Sequence, residues 1–570
     1  MIVSFFKMNI NNFFSKHTGK EIGDDFDGLS IQGRPYLLWG LILCLLVVFF
    51  VRYYYGRDIP LSGDEVGVGV LQSVGNWSSY KNTLPLNEKT DIGSLRKYIE
   101  YTDEKSASDV VSTMRTDKLH PPLYFIILHF VIKYFGTTVA VLRTLSILFS
   151  IFSLITIYFL GKALFNQSVG LLSAAFMALS AYCLEYSVMV RLYPLAMWLS
   201  LLSTLLVVVL VKTKSFHYRS FLLYIYILVS VAGLYTYYSF AVLIASQFVF
   251  VFLSVKKDVK TVVTIFSTYA LIIVLLVPWI LPMIEGVNSV QTKDYYFKGS
   301  YTLVVLIKYF YEIIFIPFKN QLGSFNAYAV QAGILTLGLL IASIYLFSIY
   351  KSARKRTTMF FLFSVFLYFS IFIVSDKLLD TKMMLFNRQH YFAVPVLLLF
   401  LASAVVHLSK NRYLKRLVLL LLVILFISGF VYRYLHKSVF DGPYYFQQLA
   451  QQLDKYTANA SDKGNLILYN AKDKRYLLPF VYHTTRNFDL IIIPGGINDT
   501  ILSKIEPSSK YRNIMLVNID VPAVKRERLK LQSIDVDKVT SYLNIYGYKD
   551  DVKPYIYTNE ETLTINYFSR

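Results

Sequence analysis

Apolar residues along the chain are grouped into blocks of about 15–22, separated by short polar segments. A bilayer core about 30 Å thick needs roughly 20 apolar residues in a helix, so each block crosses it or nearly does. A spanning segment must satisfy its backbone hydrogen bonds internally, which predicts helices. About 11 spans are predicted, at 36–54, 138–160, 167–184, 194–211, 221–237, 239–254, 261–282, 328–350, 357–374, 390–408 and 417–434.

Basic loops orient these spans. Four clusters lie between them: Lys212/Lys214/Arg219, Lys256/Lys257/Lys260, Lys351/Arg354/Lys355/Arg356 and Lys410/Arg412/Lys415/Arg416. Because such loops stay on the cytoplasmic side, they predict an inside N-terminus and an outside tail after Tyr434. The apolar segments 121–135 and 302–318 break this alternation if they are counted as spans. We interpret both as helices at the outer interface, with a short tilted span as the alternative.

This topology predicts three parts: a cytoplasmic segment 1–35, a transmembrane domain 36–436 with a long outer loop 55–137, and an extracytoplasmic domain 437–570. The tail is polar and mixed, and its periodicity predicts a small α/β domain, either structural or for acceptor docking. Its helical period covers 441–456, and its strand-like runs lie at 465–470, 488–493 and 512–519.

Composition agrees with an α-helical polytopic membrane protein. The 570 residues are 55% hydrophobic and only 16% charged, with a mean hydropathy of +0.49, whereas soluble domains carry about 25% charged residues. Disorder and disulfide scaffolds are excluded, and Cys44 and Cys183 both fall in apolar segments. The net charge of +21 is concentrated in the loops, so we expect no nucleic acid partner. The first apolar run begins only near Tyr36, which predicts no cleavable signal peptide.

Acidic residues are scarce near the membrane core. Residues 120–282 include only Glu185 and Asp258, and Asp258 lies in a basic cytoplasmic loop. An outward-facing active site must therefore take a carboxylate from the first outer loop, from Glu185 or from later outer segments. The first outer loop offers Asp64-Glu65. Adjacent side chains point to different sides, so one acid can face a site while the scaffold holds the other. A solvated surface pair is the alternative.

Several cations also lie on the predicted outer face. In the His-Pro-Pro-Leu-Tyr run 120–124, the prolines suit the first turn of a helix, where backbone N–H groups favour an anion. His120 there either binds phosphate or caps the helix. Arg191 offers fixed donors suited to phosphate oxygens, and snorkelling to the headgroups is its alternative. Arg143 and Arg388 also lie at outer span edges, against the inside bias of positive charge.

The order of these motifs resembles the GT-C glycosyltransferases, in particular the superfamily of dolichyl-phosphate-mannose-protein mannosyltransferases and aminoarabinose transferases (glycosyltransferase family 39 and bacterial relatives). The matching positions are Asp64-Glu65, His120 to Tyr124, Phe135-Gly136, Leu142-Arg143, Tyr186, Ser187, Arg191, Tyr193, Leu234-Tyr235-Thr236, Tyr238 and Arg388. The chain departs from the family pattern at Met189, where relatives have an acid, and at Tyr237, where they have a histidine.

The resemblance implies transfer of a sugar from a polyprenyl-phosphate-linked donor to a glycolipid, polysaccharide or protein acceptor, with inversion, on the outer side of the cytoplasmic (inner) membrane. It makes Asp64 the general base, with Glu65 in support. The implied contacts to the donor phosphate are His120, Arg143, Arg191 and Arg388, and the implied substrate-pocket residues are Tyr124, Tyr193, Tyr237 and Tyr238. Arg and His can stabilise a monophosphate leaving group, so we expect no metal and no cofactor.

Other functions compete with this interpretation. A lipid or glycan transporter or flippase would favour inverted repeats and spans broken by Gly or Pro near the midplane, and the sequence shows neither. A catalytically silent scaffold of the same fold is a second alternative, favoured by Met189 and Tyr237 but not by Asp64. A ligase that uses a diphosphate carrier is a third, and it would need more cations or a metal around the leaving group.

Overall fold

The computed structural model describes residues 35–255, 258–288, 391–407, 412–436, 465–470, 477–493, 513–520, 536–545 and 562–569, with shorter stretches between 367 and 558. The chain divides into two compact units. Unit 1 comprises Met1–Tyr54, Ile147–Val188 and Leu192–Leu435, and unit 2 comprises Tyr55–Ser146, Met189–Arg191 and His436–Arg570.

The apolar blocks that the structure describes form helices, as predicted. Their bounds are Pro35–Arg57, Val139–Leu164, Gln167–Leu179, Ala181–Val188, Tyr193–Lys212, Phe221–Leu234, Phe240–Ser254, Val259–Asn288, Ala393–His407 and Arg412–His436. Among the described residues, 5 helices are long and apolar enough to cross a membrane, or up to 6 with one bent pair. The chain is therefore a multi-pass membrane protein. The predicted elements 1–34, 302–318, 328–350 and most of 357–374 lie outside the described residues.

One predicted span is not a single helix. The block 167–184 is divided into Gln167–Leu179 and Ala181–Val188, which meet at an angle of 66°. Ser180 separates them with an extended backbone, and its hydroxyl accepts a hydrogen bond from the amide of Cys183 at 3.4 Å. A serine that caps a new helix in this way satisfies one of the amides that the break exposes. The segment predicted as one span is therefore two helices with a break between them, which together pass as at most one span.

Buried polar side chains connect the helices of unit 1. The Gln247 amide oxygen accepts from the hydroxyls of Ser203 at 3.0 Å and Tyr226 at 2.9 Å, and Tyr226 also bonds Tyr269 at 3.1 Å. These four residues come from four different helices. Hydrogen bonds between side chains hold membrane helices together because water is absent as a competing partner. The network accordingly fixes the packing of this group of helices.

Among the described residues, unit 2 contains a mixed sheet of seven strands: β1 Lys89–Asp91, β2 Asn465–Asn470, β3 Asp489–Ile493, β4 Asn513–Asp520, β5 Lys549–Asp550, β6 Tyr557–Thr558 and β7 Thr562–Ser569. Their order in the sheet is β1-β3-β2-β4-β7-β5, with β6 paired to β7. The strands predicted at 465–470, 488–493 and 512–519 are confirmed. They form the parallel centre, and their apolar runs are buried, as is typical of such strands.

The first outer loop contributes to the same sheet, because β1 pairs antiparallel with β3. Helical elements in the described part of unit 2 include the π-helix Glu65–Val70 and the helices Leu71–Ser73, Trp77–Thr83, Ile92–Arg96, Ala107–Asp117, Leu123–Phe135, Leu477–His483 and Val536–Ile545. Helix Leu123–Phe135 has 13 residues, about 20 Å, which is shorter than a bilayer core. Its interfacial location stays a prediction, as do the boundaries at 436 and 437.

Candidate active site

The two acids of the first outer loop lie where the chain enters the π-helix Glu65–Val70. A π-helical turn is rare and frequently occurs at functional sites. The Asp64 side chain is 20% exposed, whereas that of Glu65 is 1% exposed. The neighbouring carboxylates therefore face different surroundings, one partly open to solvent and one inside unit 2.

The buried Glu65 carboxylate joins three segments of the chain. Its Oε1 accepts hydrogen bonds from Arg143 Nη1 at 3.0 Å and from the Val190 amide at 2.8 Å. Its Oε2 accepts from the Ser62 amide at 2.8 Å. All three partners are donors, which an ionised carboxylate can accept together. Glu65 thus fixes the loop that presents Asp64.

Arg143 is directed at the same loop. Its Nη2 donates to the backbone carbonyls of Ile59 at 3.1 Å and Pro60 at 3.0 Å, in addition to the ion pair with Glu65. Its side chain is 2% exposed. The sequence suggested a phosphate contact for this residue. The structure instead gives its guanidinium a carboxylate and two carbonyls as partners.

A glycine allows the π-helix to approach the segment Met189–Arg191. A Cβ atom at Gly69 would lie 2.6 Å from the carbonyl oxygen of Val190, closer than real Cβ atoms come. On the other side, the Ser146 hydroxyl donates to the Met189 carbonyl at 2.6 Å. Met189, which stands where relatives have an acid, thus contributes its backbone. This close approach brings the Val190 amide to Glu65 and carries Arg191 toward Asp64.

Arg191 lies between the partly exposed acid and a histidine. Its Nη1 is 3.2 Å from Asp64 Oδ2 and donates to the Asp64 carbonyl at 3.2 Å. Its Nη2 lies 3.3 Å from His120 Nε2. The Arg191 side chain is 5% exposed. Three of the residues singled out from the sequence are therefore in direct contact.

The partners of His120 determine its tautomer. A guanidinium only donates, so the bond from Arg191 requires a lone pair on His120 Nε2. The proton of a neutral imidazole is then on Nδ1, where it is donated to Asp117 Oδ2 at 2.8 Å. In this form His120 has no N–H group to offer a phosphate. It gains one at Nε2 only as the imidazolium. Asp117 was not predicted as a partner of His120, although the sequence shows an acid three residues before the histidine.

The four tyrosines predicted to line a pocket are divided between the units. Tyr124 lies in unit 2 and is fully buried. Tyr193, Tyr237 and Tyr238 belong to unit 1, where the rings of Tyr193 and Tyr237 meet edge to face with centroids 6.0 Å apart. Tyr238 accepts a hydrogen bond from the Trp279 indole at 3.0 Å. Arg388 lies outside the described residues.

Glu185, the other candidate acid, has a cation of its own. Its Oε2 is 2.7 Å from Arg433 Nη2, and both side chains are nearly inaccessible to solvent. Both residues belong to unit 1. Within the described ranges, no group of three or more His, Cys, Asp or Glu side chains is arranged to hold a metal ion. In unit 2, the contacts of Arg191 with Asp64 and His120 bring together groups capable of acid–base and anion-binding chemistry.

Comparison with known families gives a sequence match over part of the chain. The family described as dolichyl-phosphate-mannose-protein mannosyltransferase matches residues 119–281. The chain resembles this mannosyltransferase family over that segment. The resemblance inferred from the motifs is thereby confirmed. The mannosyltransferase-like segment contains His120, Arg143 and Arg191 and begins after the acids Asp64 and Glu65.

Solved structures of membrane glycosyltransferases are also similar. ArnT from Cupriavidus metallidurans bound to undecaprenyl phosphate is 12% identical, with a TM-score of 0.48, and the match covers 92% of this chain and 98% of that chain. AglB from Archaeoglobus fulgidus, in complex with an inhibitory peptide and a dolichol-phosphate, is 12% identical with a TM-score of 0.45 over 84% and 69% of the two chains.

The arabinofuranosyltransferase AftD from Mycobacteria is 11% identical with a TM-score of 0.43. The match covers 95% of this chain but only 40% of AftD. No curated protein sequence matches the chain. The roles of individual residues in the mannosyltransferase-like segment therefore rest on the contacts of this chain.

Proposed function

We propose that the protein is a membrane glycosyltransferase. It transfers a sugar from a polyprenyl-phosphate-linked donor to an envelope acceptor, with inversion, on the outer side of the cytoplasmic membrane. The observation that carries this proposal is the contact of a partly exposed carboxylate, Asp64, with Arg191, which in turn contacts His120. The family match supports the donor class, because its description names a lipid-phosphate-linked sugar.

Asp64 is the general base in this mechanism. Its carboxylate takes the proton of the acceptor hydroxyl as that oxygen attacks the anomeric carbon of the donor. The bond between the anomeric carbon and the phosphate oxygen breaks, and its electron pair leaves with the lipid phosphate. A single displacement needs one catalytic carboxylate, which agrees with an arrangement in which Glu65 is buried and fully engaged.

Arg191 and His120 stabilise the leaving phosphate. Arg191 provides a fork of N–H donors that matches phosphate oxygens. When the donor's phosphate binds this fork, it competes with Asp64 for the guanidinium, which frees the carboxylate to accept a proton. Protonated His120 adds an N–H donor at Nε2. Arg388, at the outer edge of a predicted span, has the same proposed role.

The remaining residues position the site. Arg143 neutralises Glu65 and orders the loop through the carbonyls of Ile59 and Pro60. Tyr124, Tyr193, Tyr237 and Tyr238 are proposed to line the substrate pocket. The acceptor is a glycolipid, a polysaccharide or a protein, each of which presents a nucleophilic group to the base.

The decisive experiment replaces Asp64 with Asn in the purified protein. Transfer from a polyprenyl-phosphate sugar should fall about 10²–10⁴-fold, the usual loss for a general base, while binding of the lipid donor persists. Asp103→Asn is the matched control, because Asp103 is an exposed acid in the same loop. Near wild-type transfer by Asp64→Asn would move the base to Glu65 or Glu185. Loss of donor binding would make Asp64 structural.

A second measurement separates the competing functions. A flippase would move the lipid-linked sugar between leaflets without cleaving it, and a silent scaffold would bind it without turnover.

A reporter fused after Arg570 tests the side of the membrane and should be active only outside the cytoplasm. Activity of the reporter inside would contradict an outward-facing site.

A further inference from the structure

Two neighbouring residues of the C-terminal region contact the segment that leads to the acids and the turn that leads to Arg143. Helix Leu477–His483 packs against the π-helix Glu65–Val70 within unit 2. His483 Nε2 donates to the carbonyl of Leu61 at 3.1 Å, and the Tyr482 hydroxyl donates to the carbonyl of Thr137. These contacts join positions 422 and 345 residues apart in the chain. They exist only because the tail folds onto the first outer loop.

His483 completes a set of three consecutive carbonyls. Arg143 binds those of Ile59 and Pro60, and His483 binds that of Leu61. The next residue, Ser62, donates its amide to Glu65. Each residue from 59 to 62, in the segment that leads to Asp64, therefore has a backbone group hydrogen-bonded to a side chain. A side chain from the tail supplies one of these four contacts.

Tyr482 contacts the segment that leads to Arg143, the partner of Glu65 in the ion pair. Thr137 lies in the turn immediately before helix Val139–Leu164, which carries Arg143. Tyr482 and His483 are consecutive, so one short helix contacts both the turn ahead of Arg143 and the loop ahead of Glu65. The helix thereby links the segments that lead to the two members of the ion pair.

The helix is itself anchored to the loop region. Arg96 Nη2 donates to the carbonyl of Thr484 at 2.9 Å, directly after the helix ends. Strand β1 pairs with β3, which follows the helix at Asp489. The helix that carries Tyr482 and His483 is therefore attached to Arg96 and to the sheet just after it ends. A side chain whose own position is supported in this way can fix the position of its hydrogen-bond partner.

The protonation state of His483 suits a donor. A carbonyl only accepts, so Nε2 carries the proton. Burial lowers the pKa of His483, with the positive charge of Arg143 acting in the same direction, while its bond to Leu61 and the charge of Glu65 oppose the shift. The neutral Nε2–H form is accordingly favoured in the folded protein, and no charge is added beside Arg143.

We propose that helix Leu477–His483 positions Asp64, the proposed catalytic base, with Tyr482 and His483 as positioning residues. Beyond any structural or docking role, the C-terminal region then takes part in forming the active site. The inference rests on the proposed function only for its activity readout. Its structural readout, the order of the loop 59–66, is independent of any reaction.

The test compares four variants of the full-length protein. His483→Ala removes the donor, and His483→Gln restores an N–H group that can reach the Leu61 carbonyl. Tyr482→Phe removes one oxygen atom. Tyr511→Phe is the matched control, because it removes a phenolic hydroxyl that donates to Asp489 Oδ2 at 2.6 Å elsewhere in unit 2.

In His483→Ala and Tyr482→Phe, kcat for transfer should fall roughly tenfold, since a displaced reactive group is costly. KM for the lipid donor should stay within about twofold, and His483→Gln should recover most of kcat. Hydrogen exchange followed by mass spectrometry should show faster exchange at residues 59–66 in these two variants and not in Tyr511→Phe.

Unchanged exchange at 59–66 in both His483→Ala and Tyr482→Phe would overturn the inference, even if transfer is measured. Equal losses in Tyr511→Phe would reduce the two residues to general stability. If His483→Ala does not fold, Tyr482→Phe and His483→Gln still decide the question. A wild-type protein without transfer activity would overturn the proposed function alone, because the exchange measurement does not depend on it.

Discussion

The adjacent acids Asp64 and Glu65 should respond to the same chemical change in opposite ways. Glu65→Gln replaces a carboxylate that accepts from Arg143, Val190 and Ser62. A glutamine has one carbonyl oxygen, and its NH₂ group donates. If the NH₂ lies at the Oε2 position it faces the Ser62 amide, and if it lies at Oε1 it faces Arg143 and the Val190 amide. Either orientation leaves at least one buried donor without an acceptor.

The expected cost follows from burial. Removing one partner of a buried ion pair typically costs 3–5 kcal/mol. Arg143 keeps the carbonyls of Ile59 and Pro60, so we expect the lower end, about 3 kcal/mol or roughly 100-fold in the unfolding equilibrium. Asp64→Asn weakens a pair whose carboxylate is 20% exposed, and Arg191 keeps its hydrogen bond to the Asp64 backbone carbonyl, so this variant should cost less stability than Glu65→Gln.

The assay is unfolding of the purified protein in detergent, read by intrinsic fluorescence, beside the transfer assay. Glu65→Gln should lose stability and, at temperatures where it stays folded, keep part of its transfer activity. Asp64→Asn should keep its stability and lose transfer. A double-mutant cycle with Arg143→Met should show strong coupling to Glu65. Equal destabilisation by both acid variants, or additive effects in the cycle, would refute this division of roles.

Three further outcomes are expected. Arg191→Ala should weaken donor use strongly and Arg191→Lys should restore it only in part, because lysine lacks the bidentate fork; donor titrations measure this. Gly69→Ala should destabilise unit 2 by about 1–3 kcal/mol, because its methyl group meets the backbone carbonyl of Val190; thermal unfolding measures this. The lowered pKa of His483 means that, as the pH falls, His483 becomes protonated in the unfolded chain before it does in the folded chain. Stability should therefore be full above about pH 6.5 and fall as the pH drops below it, less so in His483→Gln, in unfolding measurements across that range.

The sequence by itself determined the membrane helices and the strands. A block of apolar residues long enough to cross the hydrocarbon core has one conformation that satisfies its backbone, so hydropathy alone located helices such as Tyr193–Lys212. Short apolar runs between polar segments located the strand centres at 465–470 and 512–519 for a similar local reason. The break at Ser180 was missed because apolar composition continues on both sides of it.

The sequence also singled out the residues of the candidate site. Scarcity of acids directed attention to Asp64 and Glu65, and the positive-inside rule marked Arg191 as a cation on the predicted outer face, where a topological role is disfavoured. These arguments depend on which residue types are present and where they lie along the chain. They could not say which acid is buried, because neighbouring side chains differ only in the direction that the fold gives them.

Only the tertiary structure decided the partners. Arg143 is bound to Glu65 and two carbonyls, and His120 holds its proton toward Asp117, because each has a particular neighbour in space. The contact of His483 with Leu61 joins residues 422 positions apart, and nothing in local periodicity encodes such a pair. Hydrogen bonds and ion pairs act over a few ångströms, whereas sequence patterns record only the average surroundings of each segment. The composition of each segment therefore determines whether it forms a membrane helix or a strand. Short-range contacts between distant segments determine the partners of each side chain and hence its chemistry.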